Sequence, residues 1–445
     1  MAKSPKPLKE AVILDAVRTP IGKSGWKGME KGGTLAHVSP LELSGIVIKE
    51  SIKRSKVDPN ELEDVILGVL SQIGEQGGNF ARMSAFMADL PDSVCGVALN
   101  RYCGSGLQAC NFAAMSVQTG NGDFVLGGGA ESMSRYGMGS DMQAAAKAGF
   151  PFKIPSAIQR KGLVVQGVSA DMIAKKYGFT RKQVDEFGLQ SQQRAVKAWR
   201  AGAFKSQIVA VPVPKRADGA KPAAPAAPAK DLPQGGMIAA LSGVPAQPEE
   251  KTNGVTMFTQ DEGIRPECLD KPQEALAKMG TLPVRFQKDG VHTAANSSQI
   301  TDGAAAVMFA AEEAAKSRGL KPRARVLSTA LAGCEPVLML LAIAPSMKKA
   351  LQRAGLTMDD MDVIEINEAF ASAVLAACRE LDLDPTDERL NPVGGAIALG
   401  HPIGASGAVL LTKALHELER TKKDHAIISL CMGGGMGIAT VIERI

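Results

Sequence analysis

Four short stretches of this chain carry side chains able to do chemistry. The first, Asn100-Arg-Tyr-Cys-Gly-Ser-Gly-Leu-Gln-Ala109, sets a cysteine just ahead of an apolar helical pattern. A helix N-terminus stabilises a thiolate by roughly 0.3–1 kcal/mol, and by up to about 2 in a buried setting. One pKa unit corresponds to about 1.36 kcal/mol, so that field alone lowers a thiol from near 8.5 by only about one unit. Cys103 therefore needs a partner base. A small buried filler is the commoner fate of a cysteine, but a filler has no use for the freedom that Gly104 and Gly106 give the backbone.

Gly394-Gly-Ala-Ile-Ala-Leu-Gly-His-Pro-Ile-Gly-Ala-Ser-Gly407 offers the base. The chain has five histidines, and only His401 lies in a glycine-dense turn. His37, His416 and His425 read as surface or loop residues, and His292, beside a possible substrate loop, stays undecided. A lone histidine is more often a capping or core imidazole held by carbonyls. In Cys431-Met-Gly-Gly-Gly-Met-Gly437 an apolar run, 426–430, delivers a second thiol onto a row of backbone N–H groups, which can bind an oxyanion. Such a glycine run could also cradle a dinucleotide phosphate, but no GxGxxG opens a first βαβ unit. Asn367-Glu-Ala-Phe370 is a polar pair at a strand end, and alone it is no more than a plausible helix start.

The elements that must position these residues alternate. Strands at 12–14, 65–69 and 124–126 and helices at 40–54 and 106–118 predict an α/β sheet. The later chain repeats the plan: the segment ending Asp64-Val-Ile66 resembles the one ending Asp362-Val-Ile364, 298 positions on, and that offset carries Cys103 to His401. Val125-Leu-Gly-Gly-Gly129 echoes Leu430-Cys-Met-Gly-Gly-Gly435. These matches predict an internal duplication with two reactive side chains at equivalent helix starts. Between the halves, 135–180 is rich in Met and Gly, 180–200 patterns as a helix, and 212–248 holds eight prolines and ten alanines. That last stretch reads as an exposed insertion, and 318–325 as the join to the second half.

The 445 residues call for two or three domains. A chain 45% hydrophobic and 22% charged is globular, and 4% aromatics with a dispersed net charge of +5 disfavour nucleic acid. Seven cysteines without CxxC spacing predict neither disulfides nor a metal site, and a reducing, cytoplasmic setting. The Lys/Pro-rich start reads as no secretory signal, and the longest apolar run, 336–347, is too short to span a bilayer and reads as core.

Taken together and in this order, the four segments resemble the thiolase family of acetyl-CoA C-acyltransferases, from Val12-Ile-Leu-Asp-Ala-Val-Arg-Thr-Pro-Ile-Gly22 to Gly437, apart from 212–248. The resemblance implies a five-layered αβαβα fold: an N-terminal half at 8–134 with 300–321, a CoA-binding loop domain at 135–299, and a C-terminal half at 322–445. It implies that Cys103 is acylated, that His401 takes its proton, and that Cys431 exchanges a proton with the α-carbon. Asn367 would hold a water that, with His401, forms one oxyanion hole, and the N–H groups of Cys103 and Gly433 would form another. Ser298 would contact pantetheine, Arg265 would pack on adenine, and Met339, Ala369 and Phe370 would meet the substrate. No cofactor is implied. Coenzyme A and acyl-CoA are substrates, the kinetics are ping-pong, and the partner is a second copy of the chain in a homodimer or homotetramer.

Short-chain members read His-Met-Gly where this chain has Val165-Gln-Gly167, and Met-Gly-x-Gly-Pro where it has Met339-Leu-Leu-Ala-Ile-Ala-Pro345. Those departures look like degradative, trifunctional-type thiolases, which usually carry His where this chain has Asn367, so chain length stays open. One rival is a ketoacyl-synthase-like condensing enzyme, which lacks the second thiol. Others are a non-catalytic thiolase-like lipid or CoA carrier, and a dinucleotide oxidoreductase.

Overall fold

The computed structural model describes residues 8–24, 32–214 and 254–445. Most of the Pro/Ala-rich insertion and the first seven residues lie outside this range. In the first half, strand β1 (Ala11–Arg18) is followed by α1 (Pro40–Ser55), β2 (Asp64–Gly68), α2 (Phe80–Met87), β3 (Cys95–Leu99), α3 (Ser105–Thr119) and β4 (Phe124–Ser132). Helices α4 (Ser140–Lys147), α5 (Gln166–Tyr177) and α6 (Arg181–Arg200) follow, with further short helices between and after them, before β5 (Thr301–Ala311) returns to the sheet. The second half contains β6 (Ala324–Gly333), α7 (Ile343–Ala354), β7 (Val363–Ile366), α8 (Ala371–Glu380), α9 (Ile403–Thr421), β8 (His425–Met432) and β9 (Met436–Arg444).

The strands lie in the order β7-β8-β9-β6-β1-β5-β4-β2-β3, and the two-residue strand Gly22–Lys23 adds to β5. The order is a palindrome about the β1/β6 seam. Outward from β1, two antiparallel pairings (β5, β4) precede a parallel one (β2). Outward from β6, two antiparallel pairings (β9, β8) precede a parallel one (β7). The parallel pairing of β2 with β3 has its counterpart in a single bridge from Ile364 to Leu390. Among the described residues, β1 and β6 pair at the seam only through Val12↔Arg325 and Ile13↔Ala324.

Side-chain alternation divides most of the core among three large apolar clusters, two outer and one central. On β1, Val12, Leu14 and Val17 face the outer layer with α1 and α2 residues. Ala11, Ile13 and Ala16 face a central layer with α3 and α9. A bulge between Ile13 and Asp15 resets the alternation. On the other side, Ile427, Cys431, Ala439 and Val441 pack outward with α7 and α8. Helices α3 and α9 therefore lie back to back at the centre.

The predicted helices at 40–54, 106–118 and 180–200 are present with boundaries moved by a residue or so. Two expectations change. The glycine runs of the third echo are not equivalent: Gly127, Gly128 and Gly129 lie inside β4, whereas Gly433, Gly434 and Gly435 form the turn between β8 and β9. The run in β4 is there because α3 and α9 press on it: a Cβ on Gly129 would lie 2.1 Å from the Gly404 carbonyl oxygen. The other change is at the start of the supposed insertion, where Val211–Pro214 is a strand paired with Val255–Phe258. Its prolines cannot donate to a ladder, which suits a two-stranded edge.

Candidate active site

Strand β3 delivers the loop that holds Cys103. The Asn100 side chain donates to the Leu70 carbonyl (3.0 Å) and accepts from Tyr102 N–H (2.8 Å). The Ser105 hydroxyl donates to the Tyr102 carbonyl (2.6 Å) and accepts from Arg101 N–H (2.8 Å). These bonds hold Tyr102 at φ +49°, a strained conformation for an aromatic residue, and swing the next residue inward. The sulfur lies among Leu70, Met133, Ile300 and Ile403. Burial pushes the thiol up to about 11, opposed by the Gln166 amide and its own N–H, while the Glu131 charge adds to the rise. The sequence pointed to a downward shift from the helix; in the structure desolvation outweighs it.

His401 occupies the same place in the second half. Cys103 stands two residues before the start of α3 and His401 two before that of α9. Gly400 makes the turn at φ +115°, and a Cβ there would lie 2.4 Å from Thr301. The Ser406 hydroxyl donates to the Pro402 carbonyl (2.8 Å), so its oxygen accepts from His401 Nδ1, 2.5 Å away. That fixes the Nδ1–H tautomer and leaves the Nε2 lone pair facing the Asn367 amide nitrogen at 3.4 Å. Burial holds the imidazole down to about 4, so it is neutral at pH 7, as a base must be.

Asn367 follows the last residue of β7 and donates its N–H to the Ser429 carbonyl (2.9 Å). Asn391, at φ +44°, imitates a neighbouring strand: its amide accepts from Ile366 N–H and donates to the Ile366 carbonyl and Glu368. Cys431 is the penultimate residue of β8 and fully buried. Burial raises its thiol above the ordinary value, and the Cys103 charge raises it further, so the two sulfurs sense one another. Gly433 opens the following turn, and a Cβ on it would lie 3.4 Å from the Tyr102 ring. Among the described residues, neither the Cys103 nor the Gly433 N–H donates to a carbonyl.

The substrate-side residues divide. Ser298 donates its N–H to the Ala369 carbonyl (2.9 Å), Ser297 bridges to Phe370, and Met339, Ala369, Phe370 and Cys431 share one apolar cluster. Phe370 meets Phe286 and His292 edge to face. Arg265 is not drawn into this group: its N–H donates to Gln192 on α6 (3.0 Å), and its side chain makes no hydrogen bond with any of these residues. His292, undecided from the sequence, is buried and bonded to Asp171 through Nδ1 (2.7 Å). His416 is a correction: it is buried in α9, where it bonds Ser206 and the Ala16 carbonyl and so ties the helix to β1. Its polar neighbours, distant in sequence, gave no local signal of burial.

Sequence reasoning missed Gln166, whose amide lies 4.0 Å from Cys103 Sγ. The only signal was the departure at 165–167. It also missed Ser406, and Glu131, which is buried and accepts from Leu70, Ser71, Gln76 and Gly404. Glu131 thereby locks the Cys103 half to the first turn after His401. Among the described residues no cluster of His, Cys, Asp or Glu is arranged to hold a metal.

The chain matches the model of the thiolase N-terminal domain over 11–225 and 242–313, and that of the thiolase C-terminal domain over 320–444. It belongs to the thiolase family. Thiolases are acyltransferases, and the chain is an enzyme of that class. It is 38% identical over 449 residues to the 3-oxoadipyl-CoA/3-oxo-5,6-dehydrosuberyl-CoA thiolase of Escherichia coli K12, covering 98% of this chain and all of that one. It is 36% identical to the 3-ketoacyl-CoA thiolase of Psychrobacter, with 98% of each covered. The crystal structure of the Bacillus anthracis acetyl-CoA acetyltransferase superposes with a TM-score of 0.80 at 32% identity, covering 99% of this thiolase and all of that chain.

Proposed function

We propose that this thiolase cleaves 3-ketoacyl-CoA reversibly with coenzyme A, through an acyl group carried on Cys103. His401 Nε2 takes the Cys103 proton as the sulfur attacks the keto carbon. The bond between C2 and C3 breaks, and the Cys431 thiol protonates the departing acetyl-CoA carbanion. Coenzyme A then gives its proton to the Cys431 thiolate and attacks the acyl-sulfur bond, and the Cys103 thiolate leaves to recover its proton from His401. Asn367, with a water and His401, and the N–H groups of Cys103 and Gly433 stabilise the oxyanions. One such donor is typically worth about 2.7–4 kcal/mol. Ser298 and Arg265 hold the coenzyme A, and Met339, Ala369 and Phe370 line the acyl side.

The observation that carries this reading is the neutral His401, its lone pair turned toward Asn367. The second thiol, Cys431, favours a thiolase over a condensing enzyme of ketoacyl-synthase type, and none of the four reactive positions is lost, as a mere carrier would allow. The test is thiolysis of 3-ketoacyl-CoA of increasing chain length, with mass spectrometry of the Cys103 peptide. Cys103→Ala should lower turnover by about 10⁴-fold or more while coenzyme A still binds. Retained turnover would refute the assignment.

A further inference from the structure

Residues 141–163 stand out from the body of the chain, nearly all of them exposed. Exposed segments are ordinarily polar, and this one is not. Phe150 is 79% exposed, Phe152 63%, Ile154 50% and Leu163 48%, with Met138, Met142, Ile158 and Val165 also exposed. Eight large apolar side chains within 138–165 exceed the scattered singles that need no explanation. Something covers them.

The charges among them decide what. From 138 to 165 the only acid is Asp141, against Lys147, Lys153, Arg160 and Lys161, and none of the four bases makes an ion pair among the described residues. A second copy bringing the same segment across a two-fold axis would set like charges together. Protein interfaces are depleted of lysine. Phenylalanine and isoleucine interleaved with lysine and arginine are what an interface of headgroups and acyl chains takes up, the rings immersed and the cations on the phosphates. No helix among the described residues is long and apolar enough to cross a membrane, so the segment lies on the surface.

We propose that residues 138–165 form an interfacial anchor that seats this chain on an anionic lipid surface. The anchor ends at Val165, next to Gln166 with its amide at Cys103, so the seated face lies beside the reactive thiol. That consequence rests on the thiolase reading; lipid binding does not.

The test is co-flotation of the full chain with vesicles of phosphatidylcholine alone and with an equal part of phosphatidylserine. Wild type should float with the anionic vesicles at low salt, be released by high salt, and stay free of phosphatidylcholine alone. Combining Phe150→Ser, Phe152→Ser and Ile154→Ser should weaken binding at least about tenfold. Lys153→Glu, Arg160→Glu and Lys161→Glu should each weaken it by about fivefold or more. These side chains are exposed, so the fold and thiolysis of a short soluble substrate should be unchanged. A chain that stays unbound at low salt, or binding indifferent to both sets of substitutions, would overturn the anchor. So would a serine variant that lowers the mass in solution, which would make the occupant a second copy. Loss of thiolysis with binding intact would count against the catalytic assignment instead.

Discussion

At the scale of single residues, burial sets the chemistry. The Cys103 thiol, held near 11, and the His401 imidazole, held near 4, both carry little charge at pH 7; in the proposed reaction the proton moves between them when substrate arrives. Gln166 is the side-chain amide at the sulfur, and it favours the thiolate. Alkylation of Cys103 by iodoacetamide at pH 8 should therefore slow several-fold in Gln166→Ala. In Gln166→Glu, where a carboxylate faces the forming thiolate, it should slow at least about tenfold. Equal rates in all three proteins would remove Gln166 from the reacting atoms. His401 makes a second prediction. Its folded value of about 4 lies below the ordinary 6.5, so between those pH values the unfolded chain binds more protons. Stability is then complete above 6.5 and lost as pH falls toward 4, by about 3 kcal/mol in full. Urea titrations at pH 7 and 4.5 should show this loss in wild type and a smaller one in His401→Asn. As candidates, Cys103, His401 and Cys431 stood out because each lies among glycines at an element's end, and Asn367 because it follows a strand as a polar residue. Gln166 and Ser406 did not, since a glutamine and a serine acquire meaning only from the atom across from them.

At the scale of elements, the site depends on how closely α3 and α9 cross. A Cβ on Gly407 would lie 2.2 Å from Leu107 N, and one on Gly106 2.7 Å from the Gly404 carbonyl oxygen. Both atoms are backbone and cannot swing aside. Gly407→Val should therefore cost at or beyond the upper end of the roughly 1–3 kcal/mol typical of overpacking, read by urea denaturation. Asn391 acts on β7 in a gentler way. Asn391→Ala removes three hydrogen bonds and leaves Glu368 short of a donor in a buried place, a loss of about 3 kcal/mol. With Asn367 no longer held, kcat should fall by about 10–100-fold with KM little changed; an unchanged kcat would mean that Asn367 is held by other means. The duplication was readable because the 298-residue offset survives in spacing: α3 and α9 begin that far apart. The palindromic strand order was not, because pairing partners lie hundreds of residues apart and short apolar runs do not name them. The glycine echo misled for a related reason. A glycine run looks the same whether a helix presses on it or it makes a turn.

At the scale of the whole molecule, strand β3 ends the sheet and among the described residues pairs on one side only, with β2. An open edge invites a partner strand unless lysine, proline or a bulge blunts it, and Cys95-Gly-Val-Ala-Leu99 has none of these. Val97 on this edge, Phe86 and Met87 on α2, and Phe112 and Met115 on α3 are all exposed and apolar. Because β3 carries no charged side chain, antiparallel pairing of the edge with its own copy across a two-fold axis meets no repulsion there, unlike the basic segment at 138–165. If this chain associates with its own copy, pairing through this edge is the arrangement the strand permits. Four residues beyond it stands Cys103, preceded by Tyr102, which is strained and 48% exposed. Such strain persists only where the surroundings over-determine it, and a second copy packed on β3 would supply the missing side of that enclosure. Val97→Lys should then give a monomer by light scattering and lower kcat by about tenfold or more, since a small displacement of a nucleophile is enough for that. A dimer that survives the lysine would place the interface elsewhere. A fully active monomer would show that the Tyr102 turn is held from within its own chain, by Asn100 and Ser105 alone.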